Sequence, residues 1–297
     1  MNLSDESFFG LPVSEVREPS SLKCPLVFNS PHSGRHYPIE FMRQTRLDRV
    51  LIRKSEDMHV DELFALATRA GAPLHLANFP RAYVDVNREP FELDPRMYDG
   101  ALPAQANIGS PRVAGGLGSV PKLVGEGIEI YGKRLPVEEA LNRIEYVYKP
   151  FHRRLRLLLN RACQSFGKAV LLDCHSMPSS VRPSSHSLCP DIIIGDRFGM
   201  SANVEIIEAA MSCLRSLGFS VVRNKPYAGG YITEHYGRPS RGYHALQIEI
   251  NRGLYLDEER QLLTSGFGSL QGSLGRFALA FADAIEANPY QLPLAAE

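Results

Sequence analysis

Side chains that can bind a metal follow a short apolar run in the middle of this sequence. The run 170–172 (Val-Leu-Leu) leads into Asp173, Cys174 and His175, and Pro178 ends the stretch. A short apolar run of this kind is typical of a buried strand. In open α/β sheets, ligands and catalytic groups gather at the carboxyl ends of the strands. We therefore expect a functional site around His175.

Three further polar clusters follow predicted strands, in the segments 30–34 (Ser-Pro-His-Ser-Gly), 85–88 (Asp-Val-Asn-Arg) and 249–252 (Glu-Ile-Asn-Arg). Two histidines at separate strand ends, His32 and His175, together with a carboxylate form the ligand set of an open zinc site, in which water fills the remaining position. Such a metal lowers the pKa of its bound water to about 7 and polarises a carbonyl. A separate carboxylate then takes the proton of the water.

Each of these residues also has a structural interpretation. His32 can be a turn residue and His175 a hydrogen-bonded histidine at a strand end, because histidine serves as freely in packing as in catalysis. Cys174 beside His175 admits a Cys–His nucleophile. Adjacent strand residues point to opposite faces, so we expect Cys174 to pack against the other side of the sheet.

Strands and helices that position these clusters alternate along the chain. The predicted strands lie in 25–31, 73–78, 82–86, 170–172, 191–195, 219–223 and 243–251. The predicted helices lie in 60–69, 136–159, 204–217 and 270–285. Gly71 is a helix C-cap candidate, Pro150 predicts a kink or two separate helices, and Glu249 shares a strand face with Ala245 and Gln247.

This alternation predicts one α/β domain over residues 1–297, a three-layer α/β/α sandwich with a central mixed sheet and helices on both faces. Residues 1–22 are predicted to form a loose N-terminal arm. Residues 89–135 are rich in Gly and Pro, and a loop of this length within a compact domain is usually a functional lid or a flexible excursion.

The composition excludes several classes of protein. Hydrophobic residues make up 44% of the 297 residues, and 33 basic residues balance 33 acidic ones. This balance argues against nucleic acid or a membrane surface as a partner, and no apolar run approaches the ~20 residues needed to span a bilayer. The five cysteines are scattered without a CxxC pair, and we expect no signal peptide, because residues 1–6 lack a basic and an apolar region. We therefore expect free thiols and a cytoplasmic location.

Five short motifs, taken together, resemble the N-formylglutamate amidohydrolase (deformylase) family. They are 29–34 (Asn-Ser-Pro-His-Ser-Gly), 57–63 (Asp-Met-His-Val-Asp-Glu-Leu), 81–88 (Arg-Ala-Tyr-Val-Asp-Val-Asn-Arg), 172–178 (Leu-Asp-Cys-His-Ser-Met-Pro) and 247–255 (Gln-Ile-Glu-Ile-Asn-Arg-Gly-Leu-Tyr). The resemblance runs from about residue 25 to 285. It implies a phosphorylase/hydrolase-like fold, similar to that of zinc carboxypeptidases and aspartoacylases. It also implies hydrolysis of N-formyl-L-glutamate to formate and glutamate, a late step of histidine degradation.

The resemblance also implies roles for the polar clusters. His32 and His175 resemble zinc ligands. Glu249 resembles the general base that acts on the zinc-activated water and then protonates the leaving amine. Arg81 would polarise the scissile carbonyl, and Asp85 would orient a zinc histidine.

The same resemblance gives substrate contacts to Asn87 and Arg88, which would bind a carboxylate; a planar Arg fork suits this group better than Lys. Arg112 could close over a glutamate side-chain carboxylate, although an arginine in a loop is more often solvated. Arg252 would bind substrate or brace the site, and Asp173 would have a supporting role.

One departure from the carboxypeptidase pattern concerns the third ligand, a Glu three residues after the first His. Arg35 stands there and cannot ligate. In the deformylase family the acidic ligand comes from the Asp57 motif, although Asp57 just precedes a helix and can equally be an N-cap. The alternatives are Glu56, His59, Asp61 and, among the histidines, His36.

The sequence therefore favours a metal-dependent amidohydrolase that acts on a small N-acylated acidic amino acid. The histidine and carboxylate set favours zinc, and Fe, Co and Mn also suit it. The alternatives are another N-acyl amino acid hydrolase, a carboxypeptidase-like enzyme on the same scaffold, and a non-catalytic protein that binds acidic amino acid derivatives.

Overall fold

The computed structural model describes residues 7–183 and 188–287. Residues 1–6 of the predicted N-terminal arm lie outside the described residues. The strands are β1 (Ser7–Phe8), β2 (Leu11–Pro12), β3 (Ser14–Arg17), β4 (Leu26–Ser30), β5 (Leu74–Ala77), β6 (Tyr98–Asp99), β7 (Leu123–Gly125), β8 (Ile128–Glu129), β9 (Leu135–Pro136), β10 (Ala169–Met177), β11 (Ile192–Gly195), β12 (Val221–Arg223), β13 (Tyr243–Asn251), β14 (Leu256–Asp257) and β15 (Leu262–Leu263).

The α-helices are α1 (Ile39–Gln44), α2 (Val60–Leu63), α3 (Pro111–Ala114), α4 (Val137–Arg143), α5 (Lys149–Phe166), α6 (Val204–Ser216), α7 (Tyr231–Tyr236) and α8 (Gly266–Ala287). A π-helical turn, Ile144–Tyr148, joins α4 to α5. Short 3₁₀ helices cover Ile52–Ser55, Ala65–Ala70, Pro95–Met97, Arg197–Gly199, Pro239–Arg241 and Arg252–Leu254. None of the described helices is long and apolar enough to cross a membrane.

A mixed seven-stranded sheet is the centre of the fold, in the order β12-β11-β13-β10-β4-β5-β3. Strands β4 and β13 both run parallel to β10, whereas β11 runs antiparallel to β13. Every residue of β4 and of β10 is buried, which explains why these strands are continuous rather than alternating apolar runs. The predicted α/β class with a mixed central sheet is confirmed.

The register of this sheet brings the predicted polar clusters to neighbouring strands. Asp173 on β10 pairs with Asn29 on β4, and His175 on β10 pairs with Glu249 on β13. Because the three strands are parallel, their carboxyl ends lie at the same edge of the sheet. The prediction that distant strand ends come together is therefore confirmed for β4, β10 and β13.

The contacts within the chain group it into two compact units. Unit 1 comprises Met1–Glu15, Pro31–Met58 and Leu76–Leu155, and unit 2 comprises Val16–Ser30, His59–His75 and Arg156–Glu297.

Aromatic packing dominates the core of unit 1. The Phe8 ring packs edge-on against Phe79 and Tyr83, and Phe79 packs in the same way against Phe151. The guanidinium of Arg143 is fully buried and lies 4.1 Å from the centre of the Tyr83 ring. This cation–π contact, together with hydrogen bonds to Glu139, makes a buried charge tolerable there.

In unit 2, helix α8 packs against α2, α6 and the 3₁₀ helix Ala65–Ala70, and α7 packs against β10 and β13. A Cβ atom added to Gly275 of α8 would lie 2.9 Å from the Leu66 side chain, so glycine permits this close approach. Gly71 ends the 3₁₀ helix with φ of 78°, as the C-cap prediction requires.

One predicted strand was wrong. Residues 82–86 form turns rather than a strand, beginning with a bond from the Tyr83 amide to the Pro80 carbonyl. The apolar, β-branched residues Val84 and Val86 gave the strand signal, but they are buried in an irregular segment. Its carbonyl groups bond to side chains of other elements instead of to a neighbouring strand.

Two further expectations need correction. The N-terminal arm is not loose from residue 7 onward, because Ser14–Arg17 adds an edge strand to the main sheet and Phe8 is buried. The long segment 89–135 is not structureless, since it contains α3, the β7–β8 hairpin and two short strands.

The turn after β4 depends on Gly34. A Cβ atom at this position would lie 2.0 Å from the carbonyl oxygen of Phe79, which is rigid backbone. We expect Gly34→Ala to lower the free energy of unfolding by about 2–3 kcal/mol, because the two segments must separate. Urea denaturation measures this change.

Gly109→Ala is the matched control, because a Cβ atom at Gly109 has nothing within 4 Å and its φ is ordinary. This variant should unfold at the wild-type urea concentration. Equal stability of Gly34→Ala and Gly109→Ala would contradict the steric account of the turn.

Candidate active site

His32 lies just after β4 and is held between two carboxylates. Its Nε2 atom is 2.8 Å from Oδ1 of Asp85, and its Nδ1 atom is 3.3 Å from Oδ2 of Asp57. All three side chains are buried. Backbone bonds fix the approach of Asp57, because its amide donates to the His32 carbonyl and its own carbonyl accepts from the Ser33 hydroxyl.

The carboxylate of Asp85 lies among cationic side chains that keep it ionised. Arg81 donates to its Oδ2 atom over 2.9 Å, and Nε of Arg88 lies 3.7 Å from the same oxygen. Burial alone would raise the pKa of the Asp85 carboxyl, but Arg81, Arg88 and His32 hold this pKa well below its usual range. An ionised carboxylate only accepts hydrogen bonds, so Nε2 of His32 is the donor and Nδ1 is the nitrogen that faces Asp57.

Three arginines surround this part of unit 1. Burial lowers the pKa of the Arg88 guanidinium, the charge of Asp85 raises it, and the neighbouring charges of Arg81 and Arg112 lower it again. Three cations, Arg81, Arg88 and Arg112, therefore lie near two anions, Asp85 and Glu92. Asn87, the neighbour of Arg88, is buried, and its amide donates to Oδ1 of Asp85. The cluster therefore suits an anionic ligand.

His175 lies on β10 and has a carboxylate behind it. Its Nε2 atom is 2.9 Å from Oδ2 of Asp173, two residues earlier on the same strand face. The other oxygen of Asp173 accepts from the amide of Asn29 over 2.7 Å, and Asn29 in turn contacts Nδ1 of His75. This chain of buried groups fixes the ring of His175 with Nε2 turned toward Asp173.

Cys174, between Asp173 and His175, is fully buried and donates to the carbonyl of Leu172. Burial raises the pKa of its thiol well above the usual range, and the charge of Asp173 raises it further. The thiolate, not the thiol, is the nucleophile. The Cys–His nucleophile is therefore not supported.

Glu249 on β13 bonds to the side chain on its own strand face. Nε2 of Gln247 donates to Oε1 of Glu249 over 2.7 Å, and Oε1 of Gln247 accepts from the amide of Gly230. The predicted shared face of Gln247 and Glu249 is thus confirmed. The Gly230 contact also anchors the glycine-containing segment 226–230 to β13.

Arg252 lies after β13 and turns back to β10. Its Nε atom donates to the Ser176 hydroxyl over 3.0 Å and its Nη2 atom to the Ser176 carbonyl over 3.4 Å. In this arrangement Arg252 links the ends of two neighbouring strands. Arg112 lies on α3, whose N-cap is Ser110 with Pro111 as the first residue.

His32, Asp57 and His175 form a buried group that can bind a metal, because one possible ligand atom of each lies within 4.8 Å of the others. No other such group of histidine, cysteine and acidic side chains occurs in residues 7–183 and 188–287. The donor set of two imidazoles and one carboxylate suits zinc. Asp85 and Asp173 contact the Nε2 atoms of the two histidines, as carboxylates do behind metal-binding histidines.

The alternatives for the acidic ligand make other contacts. Glu56 accepts a hydrogen bond from Tyr37 and pairs with Arg53, although burial still raises the pKa of its carboxyl. Nδ1 of His59 lies 3.3 Å from Glu62. His36 packs edge-on against Phe8. Asp61 is buried on α2.

Sequence reasoning did not anticipate the helical side chains that hold the segment 81–88. Arg143, Tyr148 and His152 each bond to a carbonyl group of this segment. The sequence shows these polar residues among the apolar positions of the predicted helix 136–159, but it does not identify their partners.

The family model of N-formylglutamate amidohydrolase matches residues 24–256. An N-formylglutamate deformylase of Pseudomonas putida is 30% identical over 241 residues, which cover 80% of this chain and 83% of the relative. A second N-formylglutamate deformylase, from Pseudomonas aeruginosa, is 29% identical over 247 residues, covering 80% and 84%.

Two solved structures share the fold. The crystal structure of N-formylglutamate amidohydrolase from Ralstonia eutropha JMP134 has a TM-score of 0.87 and 33% identity, covering 92% of this chain and 98% of the other. A gene product of Agrobacterium tumefaciens, Atu2144, has a TM-score of 0.65 and 20% identity over 92% and 96% of the two chains. The resemblance suggested by the five motifs is thus confirmed, and the chain is an amidohydrolase that belongs to the N-formylglutamate amidohydrolase family.

Proposed function

We propose that this enzyme hydrolyses N-formyl-L-glutamate to formate and L-glutamate with a divalent metal, zinc being the first choice, held by His32, Asp57 and His175. The names of the relatives support the substrate. One observation carries the chemistry: two buried histidines and an aspartate converge, and each histidine has a carboxylate at its Nε2 atom. The reaction would be a late step of histidine degradation.

A divalent metal at this position supplies Lewis-acid chemistry, which makes water more acidic and a carbonyl more electrophilic. Asp85 and Asp173 contact the Nε2 atoms of His32 and His175, so that the Nδ1 atoms would be the ligand atoms. Asp85 is also the ion-pair partner of Arg81.

Glu249 acts as the general base in this proposal. Its carboxylate takes a proton from the attacking water as the water adds to the formyl carbon. The same proton then goes to the departing amino nitrogen of glutamate, as the bond between that nitrogen and the formyl carbon breaks. Gln247 supports this role because its amide donates to one oxygen of Glu249 and so helps to fix the direction of the carboxylate. Arg81 stabilises the negative charge that develops on the formyl oxygen.

In this proposal the arginine cluster, with Asn87, binds the substrate. Asn87 and Arg88 bind one carboxylate of N-formylglutamate, and Arg112 binds the other. The excess of cations over anions around Asp85 supports this assignment, because guanidinium groups bind carboxylates in a bidentate manner. Arg252 braces the ends of β10 and β13.

Several broader features belong to the same proposal. The fold is a single-domain α/β/α sandwich of the zinc carboxypeptidase type, with the segment 89–135 as a lid insertion. The enzyme works in the cytoplasm, where its five free cysteines stay reduced.

Formate release tests the reaction. Wild-type protein should release formate from N-formyl-L-glutamate, and Glu249→Gln should lower kcat by about 10²- to 10⁴-fold, because the amide cannot take a proton. Enzymatic detection of formate with a panel of N-formyl amino acids measures both effects.

Glu259→Gln is the matched control, because Glu259 is exposed and lies in the same stretch of chain. It should retain the wild-type rate. Equal rates for wild type and Glu249→Gln would rule out the assigned general base, and a wild type that binds but does not hydrolyse these compounds would indicate a binding protein.

Metal removal tests the ligand set. Purified protein should contain about one equivalent of a divalent metal, and a chelator should lower its thermal midpoint, because a metal that binds only the folded state stabilises it. His175→Ala should lose the metal. Elemental analysis and thermal unfolding measure the two effects.

The control for this experiment is His235→Ala, since His235 stacks on Tyr231 and is not a member of the metal group. It should keep its metal. A full equivalent of metal in His175→Ala would exclude His175 as a ligand.

A further inference from the structure

The segment 81–88 carries four of the residues assigned to the reaction but belongs to no helix or strand. Buried backbone groups outside regular structure need other hydrogen-bond partners. On this segment the Asp85 amide donates to the Ser119 carbonyl over 2.7 Å, and the Asn87 amide donates to the Asp85 side chain. The carbonyl groups find their partners elsewhere.

Three side chains from one helical stretch bond to these carbonyl groups. Arg143 donates to the carbonyl of Tyr83 over 2.9 Å. Tyr148 donates from its hydroxyl to the carbonyl of Arg88 over 2.7 Å. Nε2 of His152 lies 2.9 Å from the carbonyl of Val86, which can only accept, so Nε2 carries the proton.

The π-helical turn Ile144–Tyr148 places Arg143 and Tyr148 on the same side of the helix. In an α-helix, residues five apart are about 140° from each other around the axis. The amide of Lys149 bonds instead to the carbonyl of Ile144, five residues earlier, and this wider turn brings position 148 round toward position 143. His152 follows Tyr148 by four residues, which is the spacing of neighbours on one helix face.

Pro150 provides the reason for the wide turn. It has no N–H group to donate to the carbonyl of Tyr146, and its ring would clash with that carbonyl in a regular α-helix. The sequence predicted a kink or two separate helices at Pro150, and the π turn that precedes this residue relieves the clash. Turns of this type occur frequently at functional sites.

Tyr148 and His152 also support each other. Their ring centres are 4.4 Å apart at an interplanar angle of 31°, and both side chains are buried. The two hydrogen bonds from this pair enclose Asn87, because one ends on the residue before it and the other on the residue after it. The pair is thus tied to the backbone on both sides of Asn87, and one of its bonds ends on Arg88 itself.

We propose that Tyr148 and His152 are positioning residues that set the carboxylate-binding geometry of Asn87 and Arg88, with the π turn aligning them for this task. The proposal rests on the function proposed above. Neither residue touches the substrate. They determine how well the segment 81–88 binds a substrate carboxylate. Their substitution should therefore change KM more than kcat.

Tyr148→Phe tests the proposal, because it removes the hydroxyl but keeps the ring. We expect KM for N-formyl-L-glutamate to rise about five- to tenfold, the usual weight of one hydrogen bond, while kcat changes less than about twofold. The preference for N-formyl-L-glutamate over N-formyl-L-glutamine should fall, because Asn87 and Arg88 would then distinguish a carboxylate from an amide less well. His152→Phe, which also keeps an aromatic ring, should act in the same direction.

The matched control is Tyr146→Phe. Tyr146 lies on the same π turn but is 65% exposed, so its variant should keep the wild-type KM and substrate preference. Thermal unfolding of all variants separates positioning from folding. A Tyr148→Phe variant with unchanged KM and unchanged substrate preference would overturn the proposal, whatever its thermal midpoint.

Calorimetric binding of L-glutamate keeps this test separate from that of the proposed function. A wild type that binds L-glutamate but releases no formate would reject the hydrolase, and weaker binding by Tyr148→Phe would then still support positioning. An active wild type with the same affinity as Tyr148→Phe would reject positioning alone. A wild type that neither binds nor turns over would reject both.

Discussion

The buried carboxylate of Asp85 is the group on which the rest of the candidate site depends. A lone carboxylate removed from water would take up a proton rather than remain charged. Asp85 stays ionised because Arg81, Arg88 and His32 surround it. Its charge therefore fixes three other groups at once: the tautomer of His32, the direction of Arg81 and the position of Arg88.

His32 and His175 each have a carboxylate at Nε2, but the two contacts arise in different ways. Asp173 and His175 are two residues apart on a buried strand, so the pleat alone places their side chains together. Asp85 and His32 are separated by 53 residues, and their contact requires an irregular segment held by a helix. One carboxylate–histidine pair is a local product of strand geometry, and the other is a product of tertiary packing.

This difference explains what could be predicted from the sequence. The apolar runs and the period-2 pattern predicted β4, β10 and β13, and the strand face shared by Gln247 and Glu249. The strand predicted at 82–86 was wrong because its partners, Arg143 and His152, lie 60 and 66 residues away in the chain. No local pattern encodes such partners. The acidic neighbours of Asp57 were equally indistinguishable, because only the fold directs Glu56 toward Tyr37 and Arg53.

The bond between Asn29 and Asp173 has a consequence for biosynthesis. It joins positions 144 residues apart, and ribosomes add on the order of 5–20 residues per second. About 7 to 30 seconds therefore separate the synthesis of β4 from that of β10. During this interval the nascent chain contains His32 and Asp57 but lacks His175, so it cannot present the complete donor set. The three donors can assemble only after most of the chain has been made.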